Sequence, residues 1–304
     1  MAIEQVTDSV RRIIKRWCAT NTPLIVDAIE GDTEVQVKTT VRFRVGEEVL
    51  LRQDGSNFGE MNFYIEEITG DHTLVLSRAL SSSFFVSNNT VVEKLYHHQF
   101  LQGVYIGEPQ AIPKYPAITV MPRSRHSEWL TIDSTREEYN IEVTVYVQDT
   151  NQEDAMRFLM QMTDTIQFGL KRHIYPLVGP YATTAITQDI GPGDTIIKVA
   201  DSSIFTPGEL HRLMIEDPWY TTEHMVSDII DSTTIRLDTP TCYAYSVADN
   251  TQVIYCTRFI YNSWPSDIEY GTVYTGTMLK AARINWFAWE EDIHTEPPVQ
   301  PSIL

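Results

Sequence analysis

The feature that most constrains the fold of this chain is an internal repeat. The phrase GDTEVQVKTTVRFRVGE, starting at Gly31, returns as GDTIIKVADSSIFTPGE, starting at Gly193. Seven positions are identical at an offset of 162, from Gly31/Gly193 to Glu47/Glu209, and further matches follow at an offset of 161. A loop or a β-bulge absorbs a one-residue gap of this kind. We therefore interpret the two stretches as copies of one module.

Each copy has the pattern of a small β domain. In the first copy Val35 and Val37 alternate with polar residues, and short β-prone runs follow between Gly, Asp, Asn and Ser residues. Glycine suits turns that need a positive φ angle. We place module one at residues 22–95 and module two at residues 183–256, and we expect a sandwich or a barrel in each.

The residues outside the modules predict one further domain in three pieces, namely 1–21, 96–182 and 257–304. Its first element is an amphipathic helix, for which Thr7 or Asp8 is the expected N-cap. The apolar face of that helix has i, i+3, i+4, i+7 spacing and consists of Val10, Ile13, Ile14 and Trp17.

Two strands, a helix and the last strands complete this domain. A short strand follows Pro116 in YPAITVMP, and every second residue of EYNIEVTVYVQ is apolar, which predicts a half-buried strand. The next helix, capped by Asp149 or Thr150, has acids in its first turn and bases in its last, as the helix dipole favours. The fold class predicted from these elements is α+β. Two helices lie on a mostly antiparallel sheet, and two duplicated small all-β domains are inserted.

The sequence carries none of the common catalytic or nucleotide-binding motifs. GxxxxGK[ST], GxGxxG after a strand, GxSxG and HExxH are all absent. Neighbouring acids such as Glu137-Glu138 give no evidence of carboxylates facing each other across a cleft. We therefore predict no catalytic residues, no cofactor, no metal and no enzyme activity.

The histidines and cysteines also lack metal-ligand spacing. We interpret His97-His98 as strand neighbours that point to opposite faces, and His211 and His224 as surface or structural residues of module two. The cysteines are too few for a disulfide framework, and we expect reduced, buried thiols at Cys18, Cys242 and Cys256.

One short basic and aromatic segment, PRSRHSEW, is a candidate contact site in an acidic chain. We place it in the loop between the two central strands, where its four contact residues would meet a neighbouring protein or DNA phosphates. The alternative is a solvated hairpin. The candidate interface residues are Arg123, Arg125, His126 and Trp129.

Overall charge and apolar patterning restrict the partners. The net charge is −18, from 41 acids and 23 bases, which argues against a general nucleic-acid binder. The negative charge suits a surface that DNA passes without sticking, or ordinary solubility.

No apolar run reaches the roughly 18 residues of a membrane span. We see no signal peptide and expect folding in a cytosol, with no membrane partner. The proline-rich end, TEPPVQPSIL, predicts an extended arm or a disordered terminus.

The predicted core resembles the bacteriophage tail terminator, or tail-completion, family. The residues that carry the resemblance are PKYPAITVMPRSR, REEYNIEVTVYVQDTNQEDAMRFLMQMTDTIQFGLKRH and KAARINWFAW. They cover about half of the chain, and the likeness rests on the order of the elements, which makes it a fold-level analogy. The two β modules are a departure from the minimal family and resemble accessory domains of phage structural proteins.

The resemblance implies a structural virion protein, assembled in the host cytoplasm and located at the tail and neck. Such a protein forms a ring, of six copies in this family, at the head-proximal end of the tail. It ends tube polymerisation and joins the tail to the neck. The implied partners are further copies of the chain, the tail tube protein, neck or connector proteins, and in some tails the sheath protein. Genomic DNA would pass through the lumen without sequence-specific binding.

Two other functions remain open from the sequence. One is another neck component, either a head-completion adaptor or a sheath-associated protein. The other is a glycan-binding or hydrolytic virion protein that uses the β modules, although the aromatic residues of the two modules do not match.

Overall fold

A computed structural model describes the chain at residues 3–53, 58–107, 112, 114–131, 134–173, 181–207, 212–256, 260, 262–272 and 279–293. The chain divides into two compact units. The first, called the sheet unit, takes residues 1–18, 101–176 and 259–304. The second, called the repeat unit, takes residues 19–100 and 177–258, so both sequence copies belong to one unit.

Strands outnumber helices by far among the described residues. The two α-helices are α1 (Ile3–Cys18) and α2 (Gln152–Arg172). The strands, in chain order, are β1 (Asn21–Pro23), β2 (Glu34–Gln36), β3 (Glu48–Gln53), β4 (Gly59–Thr69), β5 (Thr73–Leu76), β6 (Thr90–Leu95), β7 (Gly103–Ile106), β8 (Ala117–Trp129), β9 (Ser134–Gln148), β10 (Tyr181–Ala185), β11 (Ile196–Lys198), β12 (Arg212–Glu216), β13 (Thr221–Asp231), β14 (Thr234–Leu237), β15 (Gln252–Cys256), β16 (Asn262–Thr272) and β17 (Leu279–Ile293).

The predicted α+β class, with two helices on a mostly antiparallel core sheet, is wrong. Within the described ranges the chain is mostly β, with 51% of those residues in strands and 17% in helices, and two of the three sheets found there are half-barrels. The helices span only 16 and 21 residues, whereas β9 and β17 span 15 each. The amphipathic helix patterns in the sequence favour an α+β fold, and the polar residues at the ends of the long strands favour loops. Those polar ends are strands because neighbouring strands supply their hydrogen bonds.

The five strands of the sheet unit follow the order β16-β17-β9-β8-β7. All neighbours are antiparallel except β7, which runs parallel to β8. The central strand β9 pairs along its whole length with β17. Every second residue of β9 from Tyr139 to Val147 is buried, as the alternation predicts.

The two helices belong to the sheet unit and pack on its strands. Helix α2 contacts β9, β16 and β17, and α1 contacts α2, β7 and β8. Gly169 of α2 allows this approach, because a Cβ there would lie 2.7 Å from Cγ of Trp17 on α1. None of the helices in the described ranges is long and apolar enough to cross a bilayer.

Neither helix begins at the predicted cap. Thr7 lies inside α1, where its hydroxyl donates to the carbonyl of Ile3 at 2.8 Å. The N-cap of α2 is Asn151, whose Oδ1 accepts from the amide of Glu153 at 3.0 Å. Asp149 instead accepts from the amide of Asn151. The local composition therefore predicts the correct turn for the start of α2, but the cap is the residue that follows the two predicted candidates.

The two copies in the repeat unit share one topology. Their sheets have the orders β1-β6-β3-β4-β5-β2 and β10-β15-β12-β13-β14-β11, so each strand has a counterpart in the same place. The turn glycines Gly31 and Gly193 have φ angles of 96° and 93°, and Asn89 and Asn250 have φ angles of 48° and 55°. These are left-handed conformations that glycine and asparagine adopt most easily.

The strand pairing shows that the sequences of the two copies differ by more than a single one-residue gap. Leu51 pairs with Val92 in the first copy, and Ile215 pairs with Val253 in the second. Val92 and Val253 match at an offset of 161, but Leu51 and Ile215 match at 164. The second copy is therefore longer before β12 and shorter after it, and loops take up both differences.

Each copy encloses its own apolar core, and most residues of one core have a counterpart in the other. The first core consists of Leu24, Ala28, Val35, Val37, Phe43, Val49, Leu51, Phe63, Ile65, Leu74, Leu76, Leu80, Phe84 and Val92. The second consists of Ile186, Ile190, Ile197, Val199, Phe205, Leu213, Ile215, Tyr220, Val226, Ile235, Leu237, Tyr245, Val253 and Tyr255.

Candidate functional site

The predicted contact segment is the outer half of a strand. Residues 122–129 belong to β8, which pairs with β9 as far as Trp129 opposite Thr135. The predicted loop placement is wrong, because pairing with the outer half of β9 extends the strand through charged residues. A β-bulge between Pro122 and Ser124 shifts the register there.

Arg123 is held by a buried carboxylate on the neighbouring strand. Its Nε and Nη2 donate to the two carboxylate oxygens of Glu142 at 3.0 and 2.6 Å. Arg283 on β17 approaches the same carboxylate from the other side, with 3.0 Å between Nε and Oε2. Thr144 donates a further hydrogen bond at 3.1 Å. Glu142 is only 5% exposed, so these donors compensate for the loss of water around its charge.

These residues belong to a row of alternating charge that crosses four strands. Glu269 on β16 lies opposite Arg283 in the pairing of β16 with β17. The order across the sheet is therefore Glu269, Arg283, Glu142 and Arg123, with acid and base in alternation. We call these four residues the charge row. Cross-strand pairs of opposite charge stabilise a sheet by roughly 0.2–1 kcal/mol each.

The charge row lies on the face of the sheet opposite to α2. Tyr270, one residue beyond Glu269, points to the other face, where its hydroxyl lies 3.1 Å from that of Thr163 on α2. Successive strand residues alternate between faces, so Glu269 points away from the helix. Trp264 stacks on Phe287 on the same side as the charge row, with the ring centroids 6.0 Å apart.

Arg125 points to the face opposite to the charge row and holds a different glutamate. Its Nε donates to Glu137 at 2.8 Å, and Ser127 donates to the same carboxylate at 2.7 Å. Burial alone would raise the pKa of Glu137, but the hydrogen bonds from Arg125 and Ser127 outweigh it and lower the pKa below its usual value. Nearby, Tyr139 donates to Glu290 at 2.8 Å, and burial together with this bond raises the pKa of Tyr139.

The four predicted interface residues do not form one patch. Arg123 and His126 belong to the face of the charge row, and His126 lies opposite Glu138 in the register. Arg125 and Trp129 belong to the other face, and Trp129 at the strand end is 63% exposed. Their interface role stays a prediction. Glu142 is not among the predicted site residues. An acid between Ile141 and Val143 in an apolar strand nevertheless indicates a basic partner on a neighbouring strand.

A second polar cluster joins the two copies inside the repeat unit. Lys38 of the first copy forms an ion pair with Asp249 of the second at 3.1 Å, and Tyr220 donates to the carbonyl of Lys38 at 2.8 Å. Arg42 donates through Nη1 to the carbonyl of Pro218 at 3.2 Å. The counterparts of Lys38, Arg42 and Asp249 are Ala200, Ile204 and Asn88, so the other copy cannot make these contacts in return. The interface between the two copies is therefore asymmetric, with different residues contributed by each copy.

This cluster contains two buried groups with unmet hydrogen bonds. Nη2 of Arg42 and Oδ2 of Asp217 are buried and bond to none of the described residues. Burial lowers the pKa of Arg42 to about 10 despite the nearby charge of Asp217. Burial likewise raises the pKa of Asp217.

The histidine and cysteine predictions have mixed outcomes. His97 and His98 lie in a turn with φ angles of 44° and 63°, so the predicted strand geometry is wrong there. His98 donates to the buried Glu48 through its main-chain amide at 3.0 Å. His224 is 5% exposed and its ring bonds two threonine hydroxyls, as a structural histidine does. His211 lies outside the described residues.

Of the cysteines, Cys18 is buried, as predicted, and Cys242 is exposed, which is contrary to the prediction. The proline-rich end lies outside the described residues. Within the ranges given above, no group of three or more His, Cys, Asp or Glu side chains has an arrangement that could hold a metal ion.

The first copy has a depression of about 400 Å³ with an acidic rim. Its Asp27 and Asp32 accept main-chain hydrogen bonds at turns, as do Asp189 and Asp194 in the second copy. These aspartates are structural.

Comparisons of the sequence with family models and with curated proteins find no match.

Proposed function

We propose that this chain is a structural protein of a phage virion. It forms a hexameric ring at the head-proximal end of the tail, where it ends tube polymerisation and joins the tail to the neck. The role is mechanical and involves no catalytic turnover. The partners in this proposal are other copies of the chain, the tube protein and the neck proteins, and DNA crosses the lumen.

One observation carries this proposal. Of the three segments that resemble tail terminators, residues 113–125 and 136–173 follow each other closely, and residues 280–289 come only after the second copy. In the structure they supply the adjoining strands β8, β9 and β17 and the helix α2 of one unit. A likeness that rests on the order of elements has more weight when those elements adjoin in space.

The charge row supports passage of DNA over this face of the sheet. Both arginines of the row contact the carboxylate of Glu142, and Glu269 lies opposite Arg283 in the register, so the two acids and two bases of the row sum to zero charge. Phosphates bind proteins mainly through lysines and arginines that neutralise them. A wall of compensated charges in a chain of net charge −18 therefore favours movement of DNA over its arrest.

Electron cryo-microscopy of intact particles, with the symmetry resolved, tests the proposal. We expect six copies between the tail tube and the neck. Twelve copies against the portal would replace the proposal with the adaptor function. Absence of the chain from the particles would refute both, and binding of the purified protein to host polysaccharide would then favour a glycan-binding role for the modules.

A further inference from the structure

The two edges of the five-stranded sheet carry opposite charge. At one edge, β16 contains Asp267 and Glu269 and no basic residue. Towards the other edge, the outer half of β8 contains Arg123, Arg125 and His126 against the single acid Glu128. The charge row reflects this polarity, because it begins with an acid on β16 and ends with a base on β8.

Both edges offer main-chain groups for further pairing. Strand β7 covers β8 only from Ala117 to Val120. Among the described residues, none makes a main-chain hydrogen bond to the outer side of Ser124–Glu128, and none forms a second strand beside β16. Proteins usually block exposed strand edges, and an edge that stays open is a ready site for strand addition.

The strand directions allow the same sheet to continue into a neighbour. Strands β16, β17, β9 and β8 alternate in direction, so β8 runs opposite to β16. A second copy that is rotated about an axis roughly parallel to the strands keeps this direction. Its β16 would therefore meet β8 in the antiparallel sense that the three internal pairs already have.

We infer that copies of this chain join head to tail, with β16 of one copy added to the outer half of β8 of the next. The inference rests on the proposed function in that it takes the copies as members of a ring. The alternation of charge then continues across the boundary, because the basic end of the charge row on β8 faces the acidic edge strand β16 of the next copy. A contact between two different edges is heterologous, and heterologous contacts close into rings when the rotation permits.

The local geometry selects which parts of the edges meet. Pro265 lacks an N–H group, and a bulge separates Pro265 from Ile268, so Ile268–Thr272 is the regular part of β16. On β8 the regular part begins after the bulge, at Ser124. Pairing of β16 with another β16 would bring Asp267 and Glu269 of both copies together, and like charges at an interface oppose association.

Cysteine cross-linking tests the contact directly. Glu269→Cys is combined in turn with Ser124→Cys, His126→Cys or Glu128→Cys, in a Cys242→Ser background and in the full chain. Within one copy β16 and β8 are three strand spacings apart, roughly 14 Å. A disulfide needs Cα atoms within about 7 Å, so a bond between these positions joins two copies.

We expect at least one double variant to give a ladder of dimers, trimers and higher species under mild oxidation of concentrated protein. The variants with only one of the two added cysteines give no ladder. Asp267→Lys lowers the yield of the ladder several-fold, because it turns an attraction into a repulsion. The matched control Glu66→Lys, an exposed acid on β4, leaves the yield unchanged.

The outcomes separate this inference from the proposed function. If all double variants fail to form a ladder, or if Glu269→Cys alone gives dimers in the same yield, the head-to-tail contact is refuted. Six copies in the particle without the ladder would leave the proposed function standing and overturn this contact. A ladder together with absence from particles would support the contact and overturn the proposed function.

Discussion

The most informative perturbation of stability concerns a buried lysine in the first copy. The side chain of Lys94 is 0% exposed, and its Nζ contacts Glu47 at 2.9 Å and the carbonyl of Arg42 at 2.7 Å. Glu47 has a second partner, because Arg44 donates to it through the main-chain amide at 2.9 Å and through Nε at 3.0 Å. Loss of Glu47 should therefore affect Lys94 more than loss of Lys94 affects Glu47.

This inequality predicts the order of three variants. Glu47→Gln removes the carboxylate that contacts the buried ammonium of Lys94 at 2.9 Å, which costs about 3–5 kcal/mol. Lys94→Met costs less, about 1–3 kcal/mol, because Glu47 keeps Arg44 and is 12% exposed. The double variant is more stable than Glu47→Gln alone, because it removes the buried ammonium together with the carboxylate that it contacts. The second copy places Tyr255 where the first has Lys94, so this core tolerates an uncharged residue there.

Amide hydrogen exchange of the full chain measures these differences locally. Peptides that cover β6 report on the first copy, and peptides that cover β15 in the same sample provide the internal reference. Exchange in β6 should accelerate most in Glu47→Gln, while exchange in β15 stays constant. An equal or larger effect of Lys94→Met, or strictly additive effects in the double variant, would refute the reasoning.

Three further predictions follow from single contacts. Arg125→Met removes the bond that lowers the pKa of Glu137. The stability that this low pKa confers is lost as the pH falls through it, so acid unfolding, followed by circular dichroism, should start at a higher pH in the variant. Gly169→Ala should lower the stability of the sheet unit by about 1–3 kcal/mol in urea titrations, because the new Cβ collides with Trp17; an unchanged midpoint would contradict the packing. Gly31→Ala meets no neighbour within 4 Å and should cost only about 1–2 kcal/mol of backbone strain, measured by exchange at its turn.

The outer half of β8 shows why part of the site could not be predicted. The segment PRSRHSEW has charged residues and a proline, which are typical of a loop, and its own sequence contains no strand signal. It is a strand because β9 extends beside it and accepts its hydrogen bonds. The same pairing decides that Arg123 meets Glu142 and Arg125 meets Glu137, on opposite faces. Residues that are two apart in the sequence thus serve two separate contacts, because the bulge between Pro122 and Ser124 changes the alternation.

The sequence by itself determined the features that depend on local order. The repeat, the β character of both copies, the alternating strand β9 and the positions of the two helices all follow from periodicity and turn chemistry over a few residues. Only the tertiary structure decided which distant segments became neighbours, because strand pairing is selected by the packing of whole faces. The charge row combines residues from 123 to 283, and the interface between the copies joins Lys38 to Asp249. No local pattern specifies such a register, since a shift of one residue would send every side chain to the other face.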